Sequence, residues 1–243
     1  MNVALFGGTF DPVHCGHLSA AQAAMNRFAL DQVHFVPAGI PPHKRKHNIT
    51  AFAHRYAMVA MACAGIPQFL PSLLESEELS GGQPNYSLVT VRKMSAALAP
   101  GDQQFFLIGA DAFLDIPNWH EPAALLDSCH FIVVSRPGFP MAELEKVIPG
   151  ELRGAEVLTA GIAQTAPDLN DRTAAHVTGA APVASPDSIR LRKSHLHLLN
   201  TVEADISSSA IRRMASEGKP LAGLVPDGVA EYIYKMKLFA NEK

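Results

Sequence analysis

The chain has 243 residues, 48% of them apolar and 18% charged, with a formal net charge of −3. That length suits one large α/β domain or two small ones, and the composition excludes disorder along the whole chain. The near-neutral balance gives no global attraction for nucleic acid or an anionic membrane, so any anion site must be local.

Asn2–Phe6 reads as a first strand, running into Gly7-Gly8. Leu18, Ala21, Met25 and Phe28 recur at helical spacing and predict a helix over about 16–30. Val33–Pro37 reads as a second strand, and Phe52, Tyr56, Val59 and Cys63 stripe the next helix. A third strand over 69–74 and a helix over 87–98 follow. Gln104–Ile108 and His130–Ser135 are continuous apolar runs, as parallel strands buried on both faces require. From Thr159 to Ser194 the chain is rich in Ala, Thr, Pro, Gly and Asp with little periodicity, which predicts a long surface excursion. His195–Val202 reads as a returning strand, and closing helices are expected over 207–217 and 226–239. Strands alternating with helices predict a Rossmann-like, doubly wound parallel sheet in a single domain over 1–243.

Cys15, Cys63 and Cys129 are widely spaced and lack CxxC or Cys/His ligand spacing, which argues against disulfides or structural zinc. The apolar start is too short for a signal peptide, and no stretch approaches the ~20 apolar residues of a membrane span. A cytoplasmic location is expected.

The stretch Gly7-Gly8-Thr9-Phe10-Asp11-Pro12-Val13-His14-Cys15-Gly16-His17 links a buried strand to a helix. Glycines let backbone approach a ligand, and a helix N-terminus offers unpaired N–H groups to phosphate. His14 and His17, three apart, can face one phosphate chain from a single helix end. The pattern is neither GxGxxG nor a GxxxxGK[ST] loop, which removes support for hydride-transfer cofactors and P-loop chemistry. A zinc pair lacks further ligands, and two isolated histidines are commonly packing residues.

GGTFDPVHCGH resembles the signature of the HxGH nucleotidyltransferases. Pro37–Lys44, Pro84-Asn85-Tyr86-Ser87, Gly109-Ala110-Asp111 with Trp119, Ser135–Gly138 and Ile206–Arg212 follow in order and are similar to segments of the bacterial nicotinate-nucleotide adenylyltransferase family. The resemblance covers nearly the whole chain apart from 159–194. Ser87 and Ser209 stand where that family commonly has threonine, keeping the hydroxyl.

The resemblance implies transfer of AMP from ATP to nicotinate mononucleotide, giving deamido-NAD and pyrophosphate, with Mg²⁺ accompanying ATP and no metal ligands on the protein. It implies His14 and His17 as catalytic residues. For ATP it implies Gly7, Gly8, Thr9, Phe10, Lys44, Gly109, Asp111, Ile206, Ser208 and Arg212 besides the histidines. For the acceptor it implies Thr9, Tyr86, Ser87, Trp119 and Arg136. Read without the resemblance, Lys44 equally suits a solvated basic turn, Trp119 a core, Asp111 a helix N-cap, and Ser207–Ser209 a cap with no ligand. Other acceptors, nicotinamide mononucleotide or phosphopantetheine, and a nucleotide-binding regulator without turnover stay open, as does a homo-oligomer. A nucleic-acid module resting on Lys44–His47 has little charge behind it.

Overall fold

The computed structural model describes residues 1–39, 49–81, 84–153, 188–200 and 206–240. Its seven strands are β1 (Asn2–Gly8), β2 (Gln32–Pro37), β3 (Phe69–Pro71), β4 (Gln103–Gly109), β5 (His130–Ser135), β6 (Ser188–Arg190) and β7 (His195–Asn200). They form one sheet in the order β3-β2-β1-β4-β5-β7-β6, parallel except for β6, which runs antiparallel to β7. The helices are α1 (Cys15–Phe28), α2 (Phe52–Cys63), α3 (Glu77–Ser80), α4 (Ser87–Ser95), α5 (Ala110–Leu114), α6 (Pro122–Leu126), α7 (Met141–Val147), α8 (Ser208–Ser216) and α9 (Asp227–Lys235).

The continuous apolar strands follow from a sheet covered on both faces. Along β1, Ala4 and Phe6 enter one core while Val3 and Leu5 enter the other. Phe105 and Leu107 in β4 alternate with Phe106 and Ile108 in the same way. α1, α2, α8 and α9 cover the first face through Ala21, Met58, Ile211 and Val229, and α4 to α7 cover the second through Val91, Phe113, Leu125 and Leu144. Side chains alternate across a strand, so no position in a two-sided core is left for a polar face.

Two expectations need correction. The predicted excursion reached Ser194, yet Ser188–Arg190 is a strand, registered by Ile189 opposite Leu196, and Leu191 bridges to Arg153. Three residues are too short for a visible alternation, and pairing with β7 decides their state. Most of that excursion, 159–187, and the end of the predicted returning strand, 201–202, lie outside the described residues. The third strand also stops at Pro71, which sits at the sheet edge on β2 where a missing N–H is tolerated.

Candidate active site

The strand order turns back at β1, whose neighbours are β2 and β4. Ligands in open α/β sheets lie beyond the strand C-termini at such a switch point. A cleft of about 510 Å³ opens there, between Gly7, Gly8 and Thr9 at the end of β1 and Tyr86, Ser87, Asp111 and Trp119 opposite. A second cavity of about 460 Å³, bordered by Asp102, Gln104, His130 and Lys193, opens at the other ends of β4 and β5.

The loop from Gly8 to His14 is folded against the core by its own side chains. Phe10 has φ +49°, a left-handed conformation rare outside glycine, and its ring is buried against Phe6, Phe35 and His17. Phe10 was expected at the ATP site; its ring is core, and only its backbone remains to meet a ligand. A Cβ on Gly8 would sit 3.0 Å from that ring, so the loop needs glycine there.

His14 is the N-cap of α1, and its N–H donates to Nδ1 of His17 at 3.2 Å. That bond makes His17 Nδ1 an acceptor and puts the neutral ring's proton on Nε2. Nδ1 of His14 is buried without a partner among the described residues, and an orphan acceptor costs less than an orphan N–H, so its proton is also assigned to Nε2. The rings stack with centroids 3.7 Å apart. A Cβ on Gly16 would lie 3.1 Å from His14 Nδ1, so a larger residue would press on the pair. Burial lowers His14 to about 4, and burial with the neighbouring His14 holds His17 well below its ordinary value. Both rings are therefore neutral N–H donors near pH 7. The N–H of Cys15 is taken by the Leu224 carbonyl at 2.9 Å, so the start of α1 offers fewer free donors than the bare sequence suggests.

α8 docks on the same loop. Ser207 caps it by accepting from the Ala210 N–H at 3.2 Å. Ser208 Oγ donates to the Pro12 carbonyl at 3.0 Å, and Arg212 donates to the Asp11 carbonyl at 2.7 Å and to Ser209 Oγ at 3.1 Å. Ile206 packs beside Gly16, 3.8 Å from where its Cβ would stand. His14, His17, Ile206, Ser208 and Arg212 are thus brought together.

The cleft side gathers Thr9, Tyr86, Ser87, Asp111 and Trp119. Trp119 is half-buried, one part packed against the second core, which reconciles its two readings. Asp111, expected with ATP, lies on the cleft wall in the first turn of α5, whose N-cap is Gly109. Arg136 follows the end of β5 and does not line the cleft. Lys44 lies outside the described residues.

The sequence reading passed over several lining residues. His120 stacks on Tyr86 with centroids 4.2 Å apart and pairs with Glu121 at 3.0 Å. Glu75 accepts from Thr90 Oγ1 at 2.7 Å and from the Gly39 N–H at 3.1 Å. Burial pushes its carboxyl above the usual range, against the pull of Thr90, Gly39, Lys93 and Arg55. Gly39 has no room for a side chain, since its Cβ would lie 2.1 Å from the Glu75 carbonyl and 2.3 Å from Asn85 Oδ1. Gly39 and Asn85 lie in the family-like segments Pro37–Lys44 and Pro84–Ser87, whereas Glu75 and His120 leave no local pattern.

Comparison with known proteins agrees. The model of the cytidylyltransferase-like family matches residues 5–214. A probable nicotinate-nucleotide adenylyltransferase of Geobacter metallireducens is 35% identical over 243 residues, covering 100% of each chain. The chain belongs to the nicotinate-nucleotide adenylyltransferase family. A Pseudomonas aeruginosa member is 34% identical, covering 98% of this chain and 96% of its own. The fold matches a Plasmodium falciparum nicotinic acid mononucleotide adenylyltransferase complexed with NaAD, with TM-score 0.65, 17% identity, and 98% and 97% of the two chains covered. As a family member the chain is a nucleotidyltransferase of NAD biosynthesis. No helix among the described residues is long and apolar enough to cross a membrane.

Proposed function

We propose that this chain transfers AMP from ATP to nicotinate mononucleotide, releasing pyrophosphate. The observation that carries the reading is one continuous segment, Gly7–His17, that walls the aromatic cleft at one end and ends in the stacked histidine pair at the other. An acceptor ring against Trp119 and a triphosphate against the histidines would meet across that segment. The full-length relatives named for this reaction support the same reading.

The acceptor's 5′-phosphate attacks the α-phosphorus of ATP and pyrophosphate leaves in line, so the protein supplies positioning and charge stabilisation. His14 and His17 donate from Nε2 to phosphate oxygens as charge develops. Thr9 and the backbone of Gly7, Gly8 and Phe10 hold the phosphate chain, with Ile206, Ser208, Arg212 and Lys44 flanking it. Among the described residues no three of His, Cys, Asp and Glu come together as metal ligands. Mg²⁺ therefore fits as a companion of ATP, held by phosphate and water, where it would offset triphosphate charge.

The acceptor's carboxylate is assigned to the first turn of α4, where the N–H groups of Ser87 and Leu88 precede the first bonds of the helix, made by Val89 and Thr90 to the Tyr86 carbonyl. A carboxylate accepts only, whereas an amide would turn its NH₂ toward donors at a cost of roughly 1–3 kcal/mol, a preference of about 10²-fold. One observation favours the amide instead: Glu75, Asp111 and Asp115 all line the cleft. Pyrophosphate release should be measured with Mg-ATP and each mononucleotide separately. A kcat/KM at least ~10²-fold higher for the acid is expected. A reversed ratio assigns the amide, and no release with either leaves a nucleotide-binding regulator.

A further inference from the structure

Arg55 is a charged residue on the buried face of α2, aligned with Met58, Val59 and Ala62, and only 2% exposed. An arginine so placed has to spend its donors inside the protein. Its Nε donates to the Thr50 carbonyl at 2.8 Å and its Nη1 to the Thr9 carbonyl at 2.9 Å. The guanidinium also sits 5.5 Å from the centre of the Phe52 ring. Thr50 returns to the loop by donating its N–H to Asp11 at 3.2 Å. Asp11 and Glu75 supply the opposing charge.

The carbonyl of Thr9 belongs to the peptide that enters Phe10, the residue held at φ +49°. In a planar trans peptide the N–H points opposite to the carbonyl, so turning the Thr9 oxygen toward α2 turns the Phe10 N–H away from it. The Asp11 and Pro12 carbonyls are likewise drawn to Arg212 and Ser208 on α8. Donors from two helices thus hold three carbonyls of the loop, and Arg55 holds the one beside its left-handed residue.

We infer that Arg55 is a positioning residue for adenylyl transfer: its guanidinium fixes the Thr9–Phe10 peptide and thereby the placement of the loop ending in His14 and His17. It touches neither substrate. This rests on the function proposed above, so its test includes a readout independent of turnover.

Three forms should be compared: wild type, Arg55→Lys, which keeps the charge but loses the planar fork, and Arg55→Ala with and without methylguanidinium. The readouts are kcat and KM in the pyrophosphate assay, calorimetric affinity for α,β-methylene-ATP, and melting temperature. Arg55→Lys should melt close to wild type yet lose ~10- to 10²-fold, mainly in kcat, as small misplacements of reacting groups do. It should bind the ATP analogue more weakly, with the acceptor KM little changed. Methylguanidinium should restore part of the Arg55→Ala activity and leave wild type unaffected. Wild-type kcat and analogue affinity in Arg55→Lys would overturn the inference, as would losses that follow only the folded fraction. If wild type binds the analogue but turns over no mononucleotide, the proposed reaction fails. Unchanged analogue affinity in Arg55→Lys then overturns the Arg55 assignment, and weakened affinity supports it.

Discussion

The function proposed for this chain gives His17 two separable duties, and one substitution can divide them. Its Nδ1 accepts from the His14 N–H, and its Nε2–H remains for a phosphate oxygen. Glutamine at the third position of a helix can accept from the N-cap N–H in the same manner. His17→Ala should lower kcat by at least ~10² and lower the melting temperature, whereas His17→Gln should lose the same activity and melt near wild type. Turnover close to wild type in either folded variant rules out His17 as a donor to the reacting phosphate. Trp119 is tested by where the loss falls. Trp119→Ala should raise the acceptor KM much more than the ATP KM, because a stacking face contributes only where the ring lies. Equal effects on both substrates would return Trp119 to a packing role.

α8 touches the Gly8–His14 loop through two side chains of different strength, and that ranks its variants. Ser208→Ala removes one neutral hydrogen bond to Pro12, costing about 1 kcal/mol. Arg212→Met removes charge-assisted donors from Asp11 and takes a cation from the loop, so its ATP KM should rise ~10-fold or more, several times the effect of Ser208→Ala. Equal small effects would make α8 a bystander. β1, β2, β4, β5 and β7, with α1, α2 and both closing helices, were legible because each leaves an apolar run or stripe in one segment, whereas the three-residue β6 leaves none. α5 and α6, of five residues each, end before a helical period can repeat. The Gly7–His17 loop was legible for a similar reason: it is contiguous. Arg55 left one trace, a charge at the spacing of Met58, Val59 and Ala62, but burial of that face is decided only when α2 packs on the sheet. Glu75 and His120 share the cleft through strand order, which local pattern does not encode.

Across the whole molecule, acid sensitivity should come from buried imidazoles, the site's own pair and one far from it. His197 on β7 is 1% exposed, its ring centre lies 5.0 Å from that of Phe28, and among the described residues neither ring nitrogen has a partner. Burial, then His195, His130 and Arg27, lowers it to about 4 from 6.5. A histidine depressed in the fold binds its proton first when unfolded, so stability is lost as pH falls from about 6.5 toward 4. Between pH 7.5 and 5 His197 alone should cost roughly 2 kcal/mol. His197→Leu should flatten that part of the unfolding free energy measured by denaturant titration, and an unchanged pH slope would exonerate this residue.

The sheet order also has a consequence for synthesis. β1 leaves the ribosome early, but β4, its partner on one edge, begins at Gln103. At translation rates of about 5–20 residues per second, that edge stays unpaired for roughly 5–20 s. Val3, Ala4, Leu5 and Phe6 are apolar on both faces meanwhile, the kind of edge that invites aggregation or a chaperone. The loop behind β1 waits longer, since Arg212 is made near the end of the chain. Nascent chains arrested before α8 should therefore remain deficient in ATP capture even after β1 has found both neighbours.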